Sequence, residues 1–297
     1  MPNQTIGFIG VGLMGSGMVK HLLDAGFTVL AHDIDSAKVE AATKQGAKKA
    51  APAQIVANVD VIILSLPNSA IVNTVVTDDL RLFGGTREGL ILIDTSTGEP
   101  LASRELADKL DRSGVAMLDA TVSGTSEMCA VKDVIFMVGG KQAIFEQCRS
   151  IFAAMGKESI YMGANGAGGA AKLIVNLVLG LNRMALAEGL TLARKADLDP
   201  MQALEVLKKS AAYSKAMDQK GRRMVEKRFL PAAGMMKNSY KGARLMLALG
   251  ERFDCPLPLL SLYTQAMASE IGKGRGDWDN ADIVGFYDGL SNFKTQS

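Results

Sequence analysis

The segment that most constrains this chain is a glycine-rich turn near the N-terminus. An apolar run over Thr5–Gly10 leads directly into Gly-Val-Gly-Leu-Met-Gly, and a helical pattern follows over Met14–Ala25. In this strand–turn–helix context Gly10 permits a tight turn, Gly12 lets a pyrophosphate approach the backbone, and Gly15 lets the helix pack closely on the strand. The free N–H groups at the helix start attract phosphate. The motif therefore predicts a dinucleotide-binding unit.

Short apolar runs continue to alternate with helical patterns through the first half of the chain. Further strands are predicted over Thr28–Asp33, Val59–Leu66, Leu90–Asp94, Ala116–Asp119 and Val134–Val138. A helix is predicted over Ser36–Gln45, and helical patterns separate several of the later strands. Strands that alternate with helices are typical of a parallel, doubly wound sheet. We therefore predict an α/β, Rossmann-type domain over residues 1–163.

The second half of the chain changes character after a cluster of glycines at residues 163–169. No convincing strand follows Gly166, and one long helical pattern covers Gly169–Ala196. Asp199 and Pro200 are typical of a helix N-cap and first helical position. The helices predicted beyond them cover Met201–Ser210, Ala216–Lys227, Met235–Phe253, Leu259–Ile271 and Ile283–Asp288. We predict an all-α second domain over residues 164–297.

Charge and composition argue against several partners. Lys and Arg total 33 against 31 Asp and Glu, which gives a formal net charge of +2. This balance provides no general attraction for nucleic acid or for an anionic membrane. The most apolar long stretch, residues 168–193, includes Lys172, Arg183 and Glu188, and such charges are rare in a membrane span. The N-terminus lacks the features of a signal peptide, so we expect a cytoplasmic protein.

Histidine and cysteine are scarce, with two His and three Cys in 297 residues. No cysteine pair has C-x-x-C spacing, which argues against a structural zinc site, and scattered thiols fit a reducing compartment. Both histidines, His21 and His32, fall inside the predicted dinucleotide-binding unit. No tyrosine is followed four residues later by lysine, which excludes the Tyr-x-x-x-Lys pair of short-chain dehydrogenases. Lysine is the main remaining candidate for proton transfer.

Lys172 lies in the most apolar part of the long predicted helix. Leucine, isoleucine and valine occupy most of positions 173–181, and a helix that is apolar on all faces is normally buried. Burial lowers the pKa of a lysine toward the range in which it exchanges protons. Asn176 follows one turn later on the same face, where it could hold the ammonium or a substrate hydroxyl. The alternative is that Lys172 extends from the first helical turn to solvent.

An acidic residue, Asp33, ends the second predicted strand, about 20 residues beyond the glycine turn. At this position a carboxylate accepts hydrogen bonds from the adenosine ribose and repels a 2′-phosphate, which favours NAD over NADP. No arginine adjoins Asp33 to bind such a phosphate. The alternatives are a plain surface aspartate, or a role that belongs to the neighbouring Asp35.

A polar loop over residues 119–127 follows a strand of the first domain and runs Asp-Ala-Thr-Val-Ser-Gly-Thr-Ser-Glu. Its N–H and hydroxyl groups could bind an anion such as a carboxylate. Considered alone, an ordinary polar turn is the simpler interpretation.

Taken in order, these motifs resemble the β-hydroxyacid dehydrogenases. This family includes 3-hydroxyisobutyrate dehydrogenase, tartronate semialdehyde reductase and sulfolactaldehyde reductase. The resemblance rests on the opening motif at residues 8–15, a D-x-S-T segment at 94–97, the substrate loop at 119–125, the G-x-G-x-x-x-K-x-x-x-N helix at 166–176 and a lysine at 241. It covers nearly the whole chain, and the set in order is far more specific than any single motif.

The resemblance implies a role for each matching residue. Lys172 would be the general acid/base, and Asn176 would orient it or the substrate. The acidic group of the substrate would bind at Ser123, Gly124 and Thr125. Cofactor contacts are implied for Gly10, Gly12, Leu13, Met14, Gly15, Asp33, Leu66, Pro67, Thr97 and Lys241. The cofactor would be NAD, with no metal, and the helical domain would form a homodimer or homotetramer.

The chain departs from the family pattern near the acid-binding loop. The usual A-P-V-S-G-G is Ala-Thr-Val-Ser-Gly-Thr at residues 120–125, and the usual Lys-Asp pair is Lys241-Gly242. Thr125-Ser126 resembles sulfolactaldehyde reductase, but Gly124 stands where that branch has a sulfonate-binding arginine. The substrate is therefore open among 3-hydroxyisobutyrate-like acids, tartronate semialdehyde and sulfolactaldehyde. Use of NADPH and a non-catalytic dinucleotide-binding role are further alternatives, and the pair of Lys172 and Asn176 argues against the second.

Overall fold

The computed structural model describes residues 4–84 and 88–292 of the chain. The chain divides into two compact units, one ending at Lys172 and the other beginning at Leu173. This division falls inside a long helix, Ala167–Lys195, which contributes residues to both units. A domain boundary between residues 163 and 164, just before this helix, stays a prediction.

The described residues of the first unit form a sheet of eight strands. The strands are β1 Thr5–Ile9, β2 Thr28–His32, β3 Lys48–Lys49, β4 Val61–Leu64, β5 Ile91–Asp94, β6 Ala116–Ser123, β7 Ile135–Gly140 and β8 Glu158–Gly163. Their order in the sheet is β3-β2-β1-β4-β5-β6-β7-β8. Every neighbouring pair is parallel except β6 and β7, which run antiparallel. The predicted α/β doubly wound class is confirmed.

Helices cover both faces of this sheet. They are α1 Leu13–Asp24, α2 Ser36–Lys44, α3 Pro52–Asn58, α4 Ser69–Thr74, α5 Pro100–Asp111, α6 Ser126–Ala130, α7 Gln142–Gln147 and α8 Arg149–Met155. A π-helical turn, Val75–Asp79, follows α4. Successive side chains of a strand point to opposite faces. In β4, Ile63 therefore joins one hydrophobic core and Ile62 joins the other.

The second unit is helical. Its helices are the end of α9 Ala167–Lys195, then α10 Pro200–Lys209, α11 Arg222–Val225, α12 Met236–Arg252, α13 Pro258–Gly272 and α14 Ile283–Leu290. Asp199 caps α10 through its carboxylate and Pro200 takes the first helical position, as predicted. Within the described residues, the chain after Gly163 forms no strand beyond one isolated bridge between Met235 and Asp279. The predicted helical second half is confirmed.

The differences from prediction lie at the edges of the sheet and in one helix. Strands β3 and β8 were not predicted, because edge strands lack the continuous apolar run of a strand buried on both faces. The residues of β3 are two exposed lysines, and those of β8 alternate between exposed and half-buried. The helix predicted over Ala216–Lys227 is a π-helical turn, Met217–Gly221, followed by the short α11.

Helix α9 is long and apolar enough, by length and composition, to cross a bilayer. In the fold it is a packed helix: Leu173, Met184 and Leu190 belong to the hydrophobic core of the second unit. Arg194 on its last turn pairs with Asp288 of α14. Such packing is that of a helix in a soluble fold.

Candidate active site

The glycine turn between β1 and α1 has the geometry that its sequence predicts. Gly10 adopts φ +93°, and a Cβ there would lie 2.2 Å from the carbonyl oxygen of Ser65. A Cβ on Gly15 would lie 2.0 Å from the carbonyl oxygen of Gly10, so a side chain would push α1 off the turn. At Gly12, the N-cap of α1, no atom lies within 4 Å of an added Cβ. The open backbone at the helix start fits a dinucleotide pyrophosphate.

Asp33 follows the last residue of β2 and bonds to the glycine turn. Its Oδ2 accepts the N–H of Val11 at 2.9 Å, and its Oδ1 accepts the N–H of Asp35 at 2.9 Å. The ammonium of Lys38 lies 4.0 Å from Oδ1. Asp35, the competing candidate, instead caps α2 by accepting the N–H of Ala37. Of the two carboxylates, Asp33 is therefore the one that is tied to the dinucleotide-binding turn.

Three further predicted cofactor contacts follow β4 and β5. Leu66 is half-buried and donates its N–H to Ser96 Oγ at 2.9 Å, while Pro67 and Thr97 are exposed. Because β1, β2, β4 and β5 are parallel, the loops that follow them meet at one edge of the sheet. Exposed Leu13 and half-buried Met14 begin α1 at the same edge. The cofactor residues that were predicted within the first unit therefore lie at one edge of its sheet.

The last residue of β5, Asp94, is a buried carboxylate that begins the D-x-S-T segment and to which the sequence analysis assigned no role. Its Oδ1 accepts the N–H of Ser96 at 2.9 Å. Burial raises the pKa of Asp94 to about 6, and the nearby charge of Asp119 adds to the rise, while hydrogen bonds from Ser96 oppose it. Only the D-x-S-T pattern could have drawn attention to this residue, because its burial depends on the fold.

The predicted acid-binding loop joins β6 to α6. Ser123 ends β6, Gly124 follows, and Thr125 caps α6 by accepting the N–H of Met128 at 3.3 Å. Because β6 is parallel to β5, this loop leaves the sheet at the same edge as the glycine turn. Hydrogen bonds from the hydroxyls of Thr125 and the next residue lower the pKa of Glu127. The loop therefore offers donors for an anion but carries one carboxylate of its own.

Lys172 lies in the second turn of α9 and is partly buried. Burial lowers the pKa of its ammonium group, which favours the buried alternative over a side chain extended fully to solvent. Asn176 is half-buried one turn further along the same helix, and Lys241 is exposed on α12; both belong to the second unit.

The described residues contain no group of three or more His, Cys, Asp or Glu side chains arranged to hold a metal ion. The site offers a dinucleotide-binding turn, hydrogen-bond donors for an anion and an amine whose pKa is lowered by burial. Together these features define the class of nicotinamide-dependent oxidoreductases.

Two sequence families cover almost the whole chain. Residues 5–163 match the NAD binding domain of 6-phosphogluconate dehydrogenase. Residues 166–287 match the family described as NAD-binding of NADP-dependent 3-hydroxyisobutyrate dehydrogenase. The chain belongs to the β-hydroxyacid dehydrogenase family, as its motifs predicted, and it is a dehydrogenase with a nicotinamide dinucleotide cofactor.

The similar proteins include two named dehydrogenases and a nuclear factor. The 2-(hydroxymethyl)glutarate dehydrogenase of Eubacterium barkeri is 33% identical over 94% of this chain and 93% of that protein. The cytokine-like nuclear factor N-PAC of Xenopus tropicalis is 31% identical, but the chain spans only 52% of its length. The structure of Mycobacterium tuberculosis 3-hydroxyisobutyrate dehydrogenase with L-serine is 28% identical, with a TM-score of 0.86 over 97% of this chain and 99% of that one.

Proposed function

We propose that this protein oxidises a small β-hydroxy acid, or reduces the matching semialdehyde, with Lys172 as the general acid/base. The observation that carries the proposal is the partly buried amine of Lys172, whose pKa is lowered by burial. A depressed pKa raises the neutral fraction of the amine near neutral pH, which is the form that accepts a proton. The family pattern supports the same residue.

In the oxidative direction, neutral Lys172 takes the proton of the substrate hydroxyl. The bound nicotinamide supplies the acceptor for the hydride that leaves the carbon. Asn176 orients the amine or the hydroxyl, and the donors of Ser123, Gly124 and Thr125 hold the acidic group of the substrate. Orientation of the two reactants accounts for a large part of the rate enhancement in such a site.

The names of two relatives point to a substrate class. 2-(Hydroxymethyl)glutarate and 3-hydroxyisobutyrate both carry a hydroxymethyl group on the carbon beside a carboxylate. We infer that this chain acts on acids that carry a hydroxymethyl group beside a carboxylate. Tartronate semialdehyde and sulfolactaldehyde stay in the test panel, because residues 120–125 depart from the family pattern.

The cofactor preference and the assembly also belong to the proposal. Asp33, placed against the glycine turn, supports NAD over NADP through repulsion of a 2′-phosphate. One side of α9 leaves large apolar residues exposed, among them Ile174, Val178 and Leu192, which supports a homodimer or homotetramer through the helical unit. The three free cysteines fit a reducing compartment, which supports a cytoplasmic location.

The test is turnover by the wild type and Lys172→Ala, in oxidation of hydroxymethyl acids with NAD or NADP and in reduction of tartronate semialdehyde and sulfolactaldehyde with NADH or NADPH. We expect kcat to fall by about 10²–10⁴ in the variant, the usual contribution of a general acid/base, with NAD affinity retained. Lys209→Ala, which removes an exposed lysine from α10, is the control. Undiminished turnover in Lys172→Ala would contradict the mechanism, and NAD binding without any turnover by wild type would favour the non-catalytic alternative.

A further inference from the structure

Alternate residues of β6 bond to the segment that begins α9. The carbonyl of Met117 accepts the side-chain amide of Asn165 at 2.9 Å. The two carboxylate oxygens of Asp119 accept the N–H groups of Gly166 and Gly169, at 2.8 and 3.0 Å.

Thr121 completes the set by donating its hydroxyl to the carbonyl of Gly168 at 2.7 Å. We call the side chains of Asp119 and Thr121, with residues 166–169, the β6–α9 clamp.

The clamp leaves no space between strand and helix. A Cβ on Gly168 would lie 2.3 Å from the carbonyl oxygen of Asp119 and 2.5 Å from that of Met137. A Cβ on Gly139 of β7 would lie 2.6 Å from Asp119 Oδ1. The first turn of α9 therefore rests directly on the backbones of β6 and β7, at a distance that only glycine permits.

Because the clamp is buried, it fixes the register of α9 against β6. Asp119 and Thr121 are each 2% exposed, so neither side chain has bulk water to bond if the helix moves. A slip of α9 by one residue shifts it about 1.5 Å along its axis and turns it about 100°. Such a slip would break every bond of the clamp and leave its buried polar groups unpaired, which is strongly unfavourable.

The clamp connects the acid-binding loop at the end of β6 to the proposed general acid/base, Lys172, on α9. Beyond Thr121, β6 ends at Ser123, where the acid-binding loop starts. Beyond Gly169, α9 continues to Lys172, one turn of helix later. The strand that carries the anion donors is thus the strand that fixes the rotation and height of the helix that carries the amine.

We propose that Asp119 and Thr121 are positioning residues, which act through β6 and the start of α9 to hold Lys172 in register with the acid-binding loop. The inference rests on the proposed role of Lys172. In this arrangement the clamp fixes the position of the Lys172 amine relative to the loop that would bind the substrate carboxylate. Displacement of a reacting group by about 1 Å can cost roughly 100-fold in rate, so small losses of register matter.

The test compares Thr121→Val with Thr121→Ser. Valine has the shape of threonine but lacks the hydroxyl that bonds Gly168, whereas serine keeps it. We expect Thr121→Val to lower kcat about tenfold or more, with the KM for NAD nearly unchanged, and Thr121→Ser to stay close to wild type. Thr264→Val is the matched control: Thr264 is buried on α13 and donates to the carbonyl of Leu260, also at 2.7 Å.

A second variant and a second readout keep the proposal testable. Asp119→Asn retains the size of the side chain but sets an amide N–H against one of the two glycine N–H groups, so we expect a larger fall in kcat. Hydrogen exchange of the peptide covering residues 165–172 should accelerate in Asp119→Asn and Thr121→Val, and not in Thr264→Val. Folded variants with kcat within about twofold of Thr264→Val would overturn the proposal.

The same design separates this proposal from the proposed function. A wild type that turns over no substrate of the panel overturns the proposed function, and with it the positioning role. If wild type is active, unchanged exchange at residues 165–172 in both clamp variants overturns the clamp alone. A fall in kcat that follows the loss of protection, and that Thr121→Ser restores, supports the clamp.

Discussion

Asp33 combines an observed structural role with a proposed electrostatic one. It accepts the N–H of Val11 in the glycine turn, and in the proposed cofactor site its negative charge faces the adenosine ribose. Asp33→Asn keeps an acceptor for one backbone N–H and removes the charge. Lys38 lies 4.0 Å from the Asp33 carboxylate and 3.5 Å from that of Asp35, so the variant leaves its ammonium with one acidic neighbour in place of two, which favours a 2′-phosphate.

We therefore expect Asp33→Asn to raise the ratio of kcat/KM with NADP to kcat/KM with NAD by about tenfold or more, or ~1.4 kcal/mol. Steady-state kinetics with both cofactors on one substrate measures the ratio. Asp35→Asn is the comparison variant: it removes the closer carboxylate partner of Lys38, at 3.5 Å, but Asp35 accepts no bond from the glycine turn, so we expect a smaller rise in the ratio. An unchanged ratio in Asp33→Asn would mean that cofactor choice lies elsewhere.

Asp94 makes the stability of the fold depend on pH. Burial raises its pKa from 3.8 to about 6, so the folded state prefers the protonated carboxyl. A raised pKa gives a contribution to stability that is present below pH 4 and is lost as the pH rises to about 6. Two pKa units correspond to about 3 kcal/mol, which is the upper bound for the loss.

Asp94→Asn should therefore stabilise the protein at pH 8 by up to about 3 kcal/mol and much less at pH 4.5, because the amide stays neutral and its oxygen can still accept the N–H of Ser96. Urea unfolding at the two pH values measures this difference. Asp108→Asn, on the exposed side of α5, should show no such difference. Equal effects of Asp94→Asn at both pH values would show that the buried carboxyl does not titrate in this range.

At the scale of elements, strong local patterns were sufficient to predict the fold. The β1–turn–α1 segment, the capped start of α10 and the apolar body of α9 each combine a clear period with specific end residues, and all appear within a few residues of their predicted bounds. Edge strands β3 and β8 could not be predicted, because exposure on at least one face removes the apolar run that marks a central strand.

The candidate site likewise has some residues that local patterns predict and others that only the fold brings together. The geometry of the glycine turn and the partial burial of Lys172 were predictable, because a local motif and an apolar helix surround them. The contacts of Asp119 with residues 166 and 169 join segments far apart in sequence, so no local period indicates them. The engagement of Thr125 as the cap of α6, beside Glu127, also depends on where that short helix begins.

At the scale of the whole molecule, the fold alone does not choose a function. The chain is similar both to dehydrogenases and to the nuclear factor N-PAC, with identities of 33% and 31%. Function therefore has to be argued from the site, and here the amine of Lys172 and the clamp that holds its helix are the features to test.

We propose that copies of the chain assemble through the exposed side of α9. Ile174 is 59% exposed, Val178 51% and Leu192 69%, and Gly189 has no atom within 4 Å of an added Cβ. These positions recur at helical spacing and form an apolar stripe with small residues at its centre. A second copy of the same chain is the occupant we expect, because self-complementary helix faces pair in symmetric oligomers.

Leu192→Glu and Ala185→Glu place a charge on this stripe, at one exposed leucine and one exposed alanine. We expect both variants to shift the wild-type oligomer toward monomer, since a buried unpaired charge in the interface is strongly unfavourable. Light scattering coupled to size-exclusion chromatography measures the mass. Val131→Glu, which alters a residue 73% exposed in the first unit, should leave the mass unchanged. A wild type of monomer mass, or three variants that all keep the mass of an oligomeric wild type, would contradict pairing through this side of α9.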